Sequence, residues 1–389
     1  MPRLSTPIYL DYNAGSPLRS GARDAMIEAL NDTGNASSVH SNGRKARGRV
    51  EAARDSVARI CGTSARSVTF VSGGTEANMT ALSRIWQDGG NPVYLDKLFI
   101  SAIEHPSVMT GGRFAVADKV IVPVDTDGII QLDALKQAVE GAEPGLVSVM
   151  AANNETGVIQ PLAEIGAIAR DHGHFFHVDA VQAAGRMKID MEDWQADAIT
   201  LSAHKVGGPQ GIGAVVTRST SKSPAPLMIG GGQENWRRGG TENVAAITAF
   251  GNAAEAALLD LDSPLRLHDM KSRLESGLKS VCKDTVIFGE RAERLGNTTC
   301  FAVRDIPAET ALIALDLERV SVSSGSACSS GKVSVSHVLT AMDVDETMAR
   351  CAIRISTGWN TRPEEIDAFL ELWPAIVDRL NPEARSRAA

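Results

Sequence analysis

At 389 residues the chain exceeds what one hydrophobic core usually supports, so two domains are expected. Hydrophobic residues make up 43% and charged residues 22%, ordinary proportions for a soluble globular protein. The formal net charge of −8 argues against a nucleic-acid partner, whose phosphates are met by basic faces.

The opening residues, Met1 to Thr6, carry no basic segment followed by an apolar stretch. No apolar run reaches the roughly 18 residues a membrane helix needs, so a cytoplasmic protein with no membrane partner is expected. Cys61, Cys282, Cys300, Cys328 and Cys351 are widely spaced and form no Cys-x-x-Cys pair. That spacing suggests neither a disulfide framework nor a zinc site.

From Val68 to Val216 short apolar runs alternate with helical patterns. Predicted strands cover 68–71, 98–101, 120–124, 146–151, 175–179, 199–202 and 214–217. Helix-spaced apolar residues fill 132–139 and 162–171. This alternation predicts an α/β fold whose large domain holds a mostly parallel, seven-stranded sheet covered on both faces. The connection from Ser202 to Ala214 contains no helix, which points to a mixed sheet. A helical pattern over 244–261 leads into a different texture, with helices at 265–281, 309–317 and 364–380 and strands at 286–289, 298–302 and 352–356. The expected organisation is a large domain over 17–261 and a smaller α+β domain formed by 1–16 and 262–389.

Several motifs invite a functional reading. The stretch Gly325 to Val333 has one residue too many between its glycines for a P-loop, and Val333 stands where a magnesium-binding hydroxyl belongs. Gly211-Ile-Gly213 lacks the third glycine of a dinucleotide fingerprint and runs into a strand. Val71-Ser-Gly-Gly74-Thr75-Glu-Ala-Asn78 is different, because it follows a strand and opens a helix, where free N–H groups attract phosphate. His172, His174, His177 and Asp179 straddle a helix-to-strand connection and a strand, so no metal site is expected of them. Asp179 sits at the carboxyl end of a predicted strand, where open α/β sheets bind ligands, and Gln182 follows three residues later. Just beyond another strand comes Ser202-Ala-His204-Lys205 among glycines, and lysine becomes a Schiff-base former where its surroundings lower its pKa.

A phosphate-binding turn, a carboxylate for a pyridinium nitrogen and a later lysine, in that order, are what pyridoxal 5′-phosphate demands. At this point the chain resembles the cysteine desulfurases of the class V aminotransferase family. The resemblance runs from Ile8 to about Arg354. It rests on Gly34-Asn-Ala-Ser-Ser-Val-His40, Ser72-Gly-Gly-Thr-Glu-Ala-Asn78, Glu104-His105-Pro106, Asn153-Asn154-Glu-Thr-Gly157, His177-Val-Asp-Ala-Val-Gln182, Ser202-Ala-His-Lys205 and Ser323-Ser-Gly-Ser-Ala-Cys328.

The resemblance implies the fold type I architecture of pyridoxal-phosphate enzymes and assigns roles. Lys205 would hold the cofactor through a Schiff base and move protons at the substrate Cα. His105 would stack on the ring and serve as a catalytic acid–base group, Asp179 would pair with the ring nitrogen and Gln182 with its phenolic oxygen. Gly74, Thr75, Ser202 and His204 would hold the phosphate. Asn154 and Arg354 would bind the carboxylate of L-cysteine. Thr241 would reach a neighbouring subunit's phosphate, which implies a homodimer. Cys328, in a small polar loop of the small domain, would take the sulfur as a persulfide for a protein acceptor such as an iron–sulfur scaffold. A selenocysteine lyase or aminotransferase of the same fold, and a non-catalytic desulfurase-like assembly protein, are the alternatives. The chain departs from the family at Asp11-Tyr-Asn-Ala-Gly-Ser-Pro17, which replaces a common Ala-Thr-Thr-Pro region, and at Asn235-Trp236, which replaces a frequent Arg-Gly.

Overall fold

The computed structural model describes residues 6–261, 265–325 and 335–386. Its principal sheet has seven strands, in the spatial order Val68–Val71, Gly213–Thr217, Ala198–Ser202, Phe175–Asp179, Gly145–Met150, Lys97–Ser101 and Lys119–Val122. Pairing is parallel except for Gly213–Thr217, which runs antiparallel to both neighbours. The physical reason is the short link after Ser202, which holds only the 3-10 turn Ala203–Lys205 and cannot carry a crossover helix. The inner strands are buried along their whole length, as expected where helices cover both faces.

Helices Ser20–Leu30 and Ser41–Ile60, neither anticipated from periodicity, pack with Val244–Asp260 over one face. Gly251 lets two of these helices approach closely, since a Cβ there would sit 2.5 Å from the Ala53 Cα. A small sheet of Ile85–Asp88, Asn91–Tyr94 and Lys222–Pro224 was also missed. Its first two strands turn through Gly89 and Gly90 at φ +59° and +86°, values that glycine adopts without strain.

The buried apolar side chains divide into separate clusters. The largest follows the main sheet and its helices, from Ala22 to Ala257. A second joins Ile8 and Leu10 to helices Leu265–Val281, Ala308–Leu317 and Pro363–Leu380. That second body is backed by a four-stranded sheet in the order Val286–Ile287, Thr298–Ala302, Ile353–Ser356 and Ser323–Ser324. The N-terminal strand Ile8–Tyr9 pairs in parallel with Val320–Ser321, far along the chain.

Candidate active site

The carboxyl ends of Gly145–Met150, Phe175–Asp179 and Ala198–Ser202 open onto a cavity of about 370 Å³. It brings together Gly74, Thr75, His105, Asn154, Asp179, Gln182, Ser202, His204, Lys205 and Arg354. Thr241 is not among its lining residues and faces a separate cavity with Ser72 and Glu242. Cys328 lies outside the described residues. The chain on either side of it meets the cavity's surroundings, because Ser323 is paired directly opposite Arg354 and His337 Nε2 lies 2.9 Å from the Glu104 carbonyl oxygen.

One corner is built for an anion. Helix Gly74–Ala81 begins there with no side chain capping its first turn, so its N–H groups face the cavity uncapped. Gly74 keeps the approach narrow: a Cβ would lie 3.3 Å from Val181 Cγ2 and 3.4 Å from Ser202 Cβ. Burial, with Lys205 and Arg186 nearby, pushes the His204 imidazole down to about 4. The neighbouring Lys205 and Arg186 side chains suit a phosphate dianion.

Lys205 stands on the turn that ends Ala198–Ser202, and its Nζ donates to the backbone carbonyls of Asn13 and Ala14, the latter at 2.9 Å. Asp179, 6% exposed, accepts from Asn78 Nδ2 at 2.8 Å and from the Val181 N–H at 3.0 Å. Gln182 donates to the Asn13 carbonyl at 3.1 Å and accepts from Arg186. His105 precedes the short helix Pro106–Met109, and its Nδ1 accepts from the Ser107 N–H at 3.1 Å. Burial pushes the His105 imidazole down, while the Asp179 charge opposes that shift.

On the opposite wall Arg354 is held by Asp11 Oδ1 at 2.7 Å and by the Asn154 carbonyl at 3.0 Å. Its Nε is buried and has no hydrogen-bond partner in the protein. Asp11 and Asn13 come from the stretch 11–17, and their contacts with Arg354 and Lys205 were missed. The missed Asn78 had a signal: it follows Thr75 by three residues and so shares that residue's helix face.

His172, His174 and His177 are hydrogen-bonded to different elements, and no metal-holding cluster occurs among the described residues. Cys61, Cys282, Cys300 and Cys351 are buried, and burial raises the Cys61 and Cys300 thiols far above the range where thiolate forms. Among the described residues no single helix is long and apolar enough to cross a membrane.

A carboxylate at a strand end, a lysine on the next turn and an uncapped helix start, all facing one cavity, fit pyridoxal phosphate and define an enzyme dependent on it. The pattern of the family described as Aminotransferase class-V matches residues 8–369, and the chain belongs to that family. It is 36% identical to "Cysteine desulfurase IscS" of Dictyoglomus turgidum, over 96% of this chain and 95% of that protein. Among solved structures, the NifS-like protein of Rickettsia africae is 34% identical with a TM-score of 0.86, covering 96% of this chain and all of that one. A structure described as SspA in complex with cysteine is 27% identical with a TM-score of 0.72, covering 90% of this chain and 98% of that one.

Proposed function

We propose that this protein is a cysteine desulfurase, which takes sulfur from L-cysteine, releases L-alanine and carries the sulfur as a persulfide on Cys328. The observation that carries this reading is the single cavity in which Asp179, Lys205, His105 and Arg354 face one another. The kinship with proteins named cysteine desulfurase supports it. The acceptor of the persulfide would be another protein, such as an iron–sulfur scaffold.

Pyridoxal phosphate, when bound, supplies a ring into which the electrons left at the substrate Cα are drawn. Lys205 Nζ would hold it and later take and return the Cα proton. The Asp179 carboxylate would keep the ring nitrogen protonated, and His105 would cover the ring face. Gln182 would donate to the phenolic oxygen. Gly74, Thr75, Ser202 and His204 would grip the phosphate. Asn154 and the Arg354 guanidinium, both lining the cavity, would orient the substrate carboxylate. Cys328, as thiolate, attacks the substrate sulfur. The S–S bond forms as the substrate Cβ–S bond breaks, and the electron pair left on Cβ takes a proton to give the methyl group of alanine. Thr241 lines a cavity apart from this one; by the resemblance to the desulfurases it would reach a second copy's phosphate, in a homodimer.

The test is an alanine and sulfide assay with L-cysteine and a thiol reductant, run on wild type and Cys328→Ser. Equal amounts of both products from wild type are expected, with a Cys328→Ser protein that stays yellow and releases no sulfide. A Cys328→Ser enzyme with undiminished sulfide release overturns the assignment.

A further inference from the structure

From Asn78 and Ser107 in the cavity lining, a chain of buried hydrogen bonds that none of the roles above requires runs back into the sheet. Asn78, 1% exposed, donates through Nδ2 to Asp179 Oδ2 at 2.8 Å and to Ser107 Oγ at 2.9 Å. A carboxylate only accepts, so the nitrogen of the Asn78 amide must face Asp179 and its oxygen must face Thr200 Oγ, 2.6 Å away. Thr200 has one hydroxyl proton and gives it to Asn78, so it accepts from His177 Nε2 at 3.1 Å. His177 Nδ1 then accepts from Ser148 Oγ at 2.8 Å. Burial pushes the His177 imidazole down to about 4, which keeps it neutral and this order of donors intact.

On the other branch Ser107 Oγ, already accepting from Asn78, donates its proton to His105 Nδ1 at 2.7 Å. The Ser107 backbone N–H reaches the same nitrogen at 3.1 Å. Nδ1 therefore carries no proton, and the imidazole holds its hydrogen on Nε2. Strand register explains how the chain assembles. Ser148 lies opposite His177, and Thr200 lies opposite Asp179, all on the sheet face that helix Gly74–Ala81 covers.

We infer that Asn78, backed by Thr200 and His177, is a positioning residue that sets two cofactor-facing groups at once, orienting the Asp179 carboxylate and holding His105 in its Nε2–H tautomer. The inference rests on the pyridoxal-phosphate site and not on cysteine being the substrate. A flipped Asn78 amide would turn its oxygen toward the Asp179 carboxylate and release the Ser107 hydroxyl from its direction. Thr200, by donating to the Asn78 oxygen, joins the Asp179 charge in opposing that flip.

The experiment compares holoenzyme carrying Thr200→Val or Thr200→Ser with wild type. It reads the pH titration of the bound cofactor's visible band, and cofactor affinity from quenching of apoenzyme fluorescence. The titratable groups facing His105 are Asp179, Lys205 and His337, and all three are kept in both variants. Thr200→Val should weaken cofactor binding roughly ten-fold and move the titration midpoint by about half a pH unit or more. Thr200→Ser, which keeps the hydroxyl, should stay within about two-fold of wild type. Should Thr200→Val not fold, Asn78→Ala is read by the same two measurements and should show the same shifts. Unchanged affinity and midpoint in the variant that folds overturns the inference, as does an equal loss in Thr200→Ser. Neither readout uses cysteine, so a different substrate would leave this test standing.

Discussion

The two walls of the cavity are built differently. Lys205, Asp179 and His105 stand on or beside one continuous sheet, and Asp179 and His105 are tied from behind through buried side chains. The wall around Arg354 is a junction, where Asp11 near the start of the chain, the Asn154 carbonyl and strand Ile353–Ser356 meet. The sheet wall is rigid because its strands are paired and buried throughout. The junction depends on charge-assisted contacts between segments up to 343 residues apart. A rigid wall suits a resident cofactor, and a wall assembled from separate segments suits a substrate that enters and leaves.

The comparison breaks most readily at Lys205. Lys205→Ala should cut turnover at least about a thousand-fold, the scale of losing a positioned acid–base group, while the apoprotein's melting temperature stays near wild type. Turnover within ten-fold of wild type would end the reading of the sheet wall. On the junction, Arg354→Lys should raise the KM for L-cysteine roughly 10- to 100-fold, because an ammonium cannot reproduce the guanidinium's planar set of donors. The visible band of the bound cofactor should be unaltered. A lost band with unchanged KM would mean that the two walls are not separate in function.

The smallest effect concerns Glu104, which burial pushes up to about 8 although Ser101 Oγ and the Met150 N–H both donate to it. An unfolded glutamate ionises near pH 4.3, so between there and about 8 the folded state holds a proton the unfolded state has lost. Stability from this group is thus full below about pH 4 and lost as pH rises through 8. Glu104→Gln should flatten the fall in melting temperature between pH 5.5 and 7.5. An unchanged slope would assign that fall to Glu155, pushed up to about 7 beside the junction wall, where Ser336 Oγ donates to it.

Much of the sheet wall was legible in the chain. Strand Phe175–Asp179 and helices Leu132–Val139 and Leu162–Asp171 have the bounds that their apolar periodicity suggests. The motif residues Asp179 and Ser202 end strands, and Thr75 and Lys205 fall on the helical turns just beyond strands, because the strand-then-turn pattern is local. Helices Ser20–Leu30 and Ser41–Ile60 were not legible. The second is rich in arginine, and its apolar stripe of small residues gains meaning only against the alanine face of Val244–Asp260.

The sequence by itself determined the α/β class through periodicity, and the cofactor and most of the residues that line the cavity through short motifs and the family resemblance they carry. Only the tertiary structure decided that Asp11 holds Arg354, that the Asn13 and Ala14 carbonyls receive Lys205, and that Asn78 joins Asp179 to Ser107. Those contacts span 29 to 343 residues of chain. Strand pairing and register bring such partners together, and neither is encoded in local pattern.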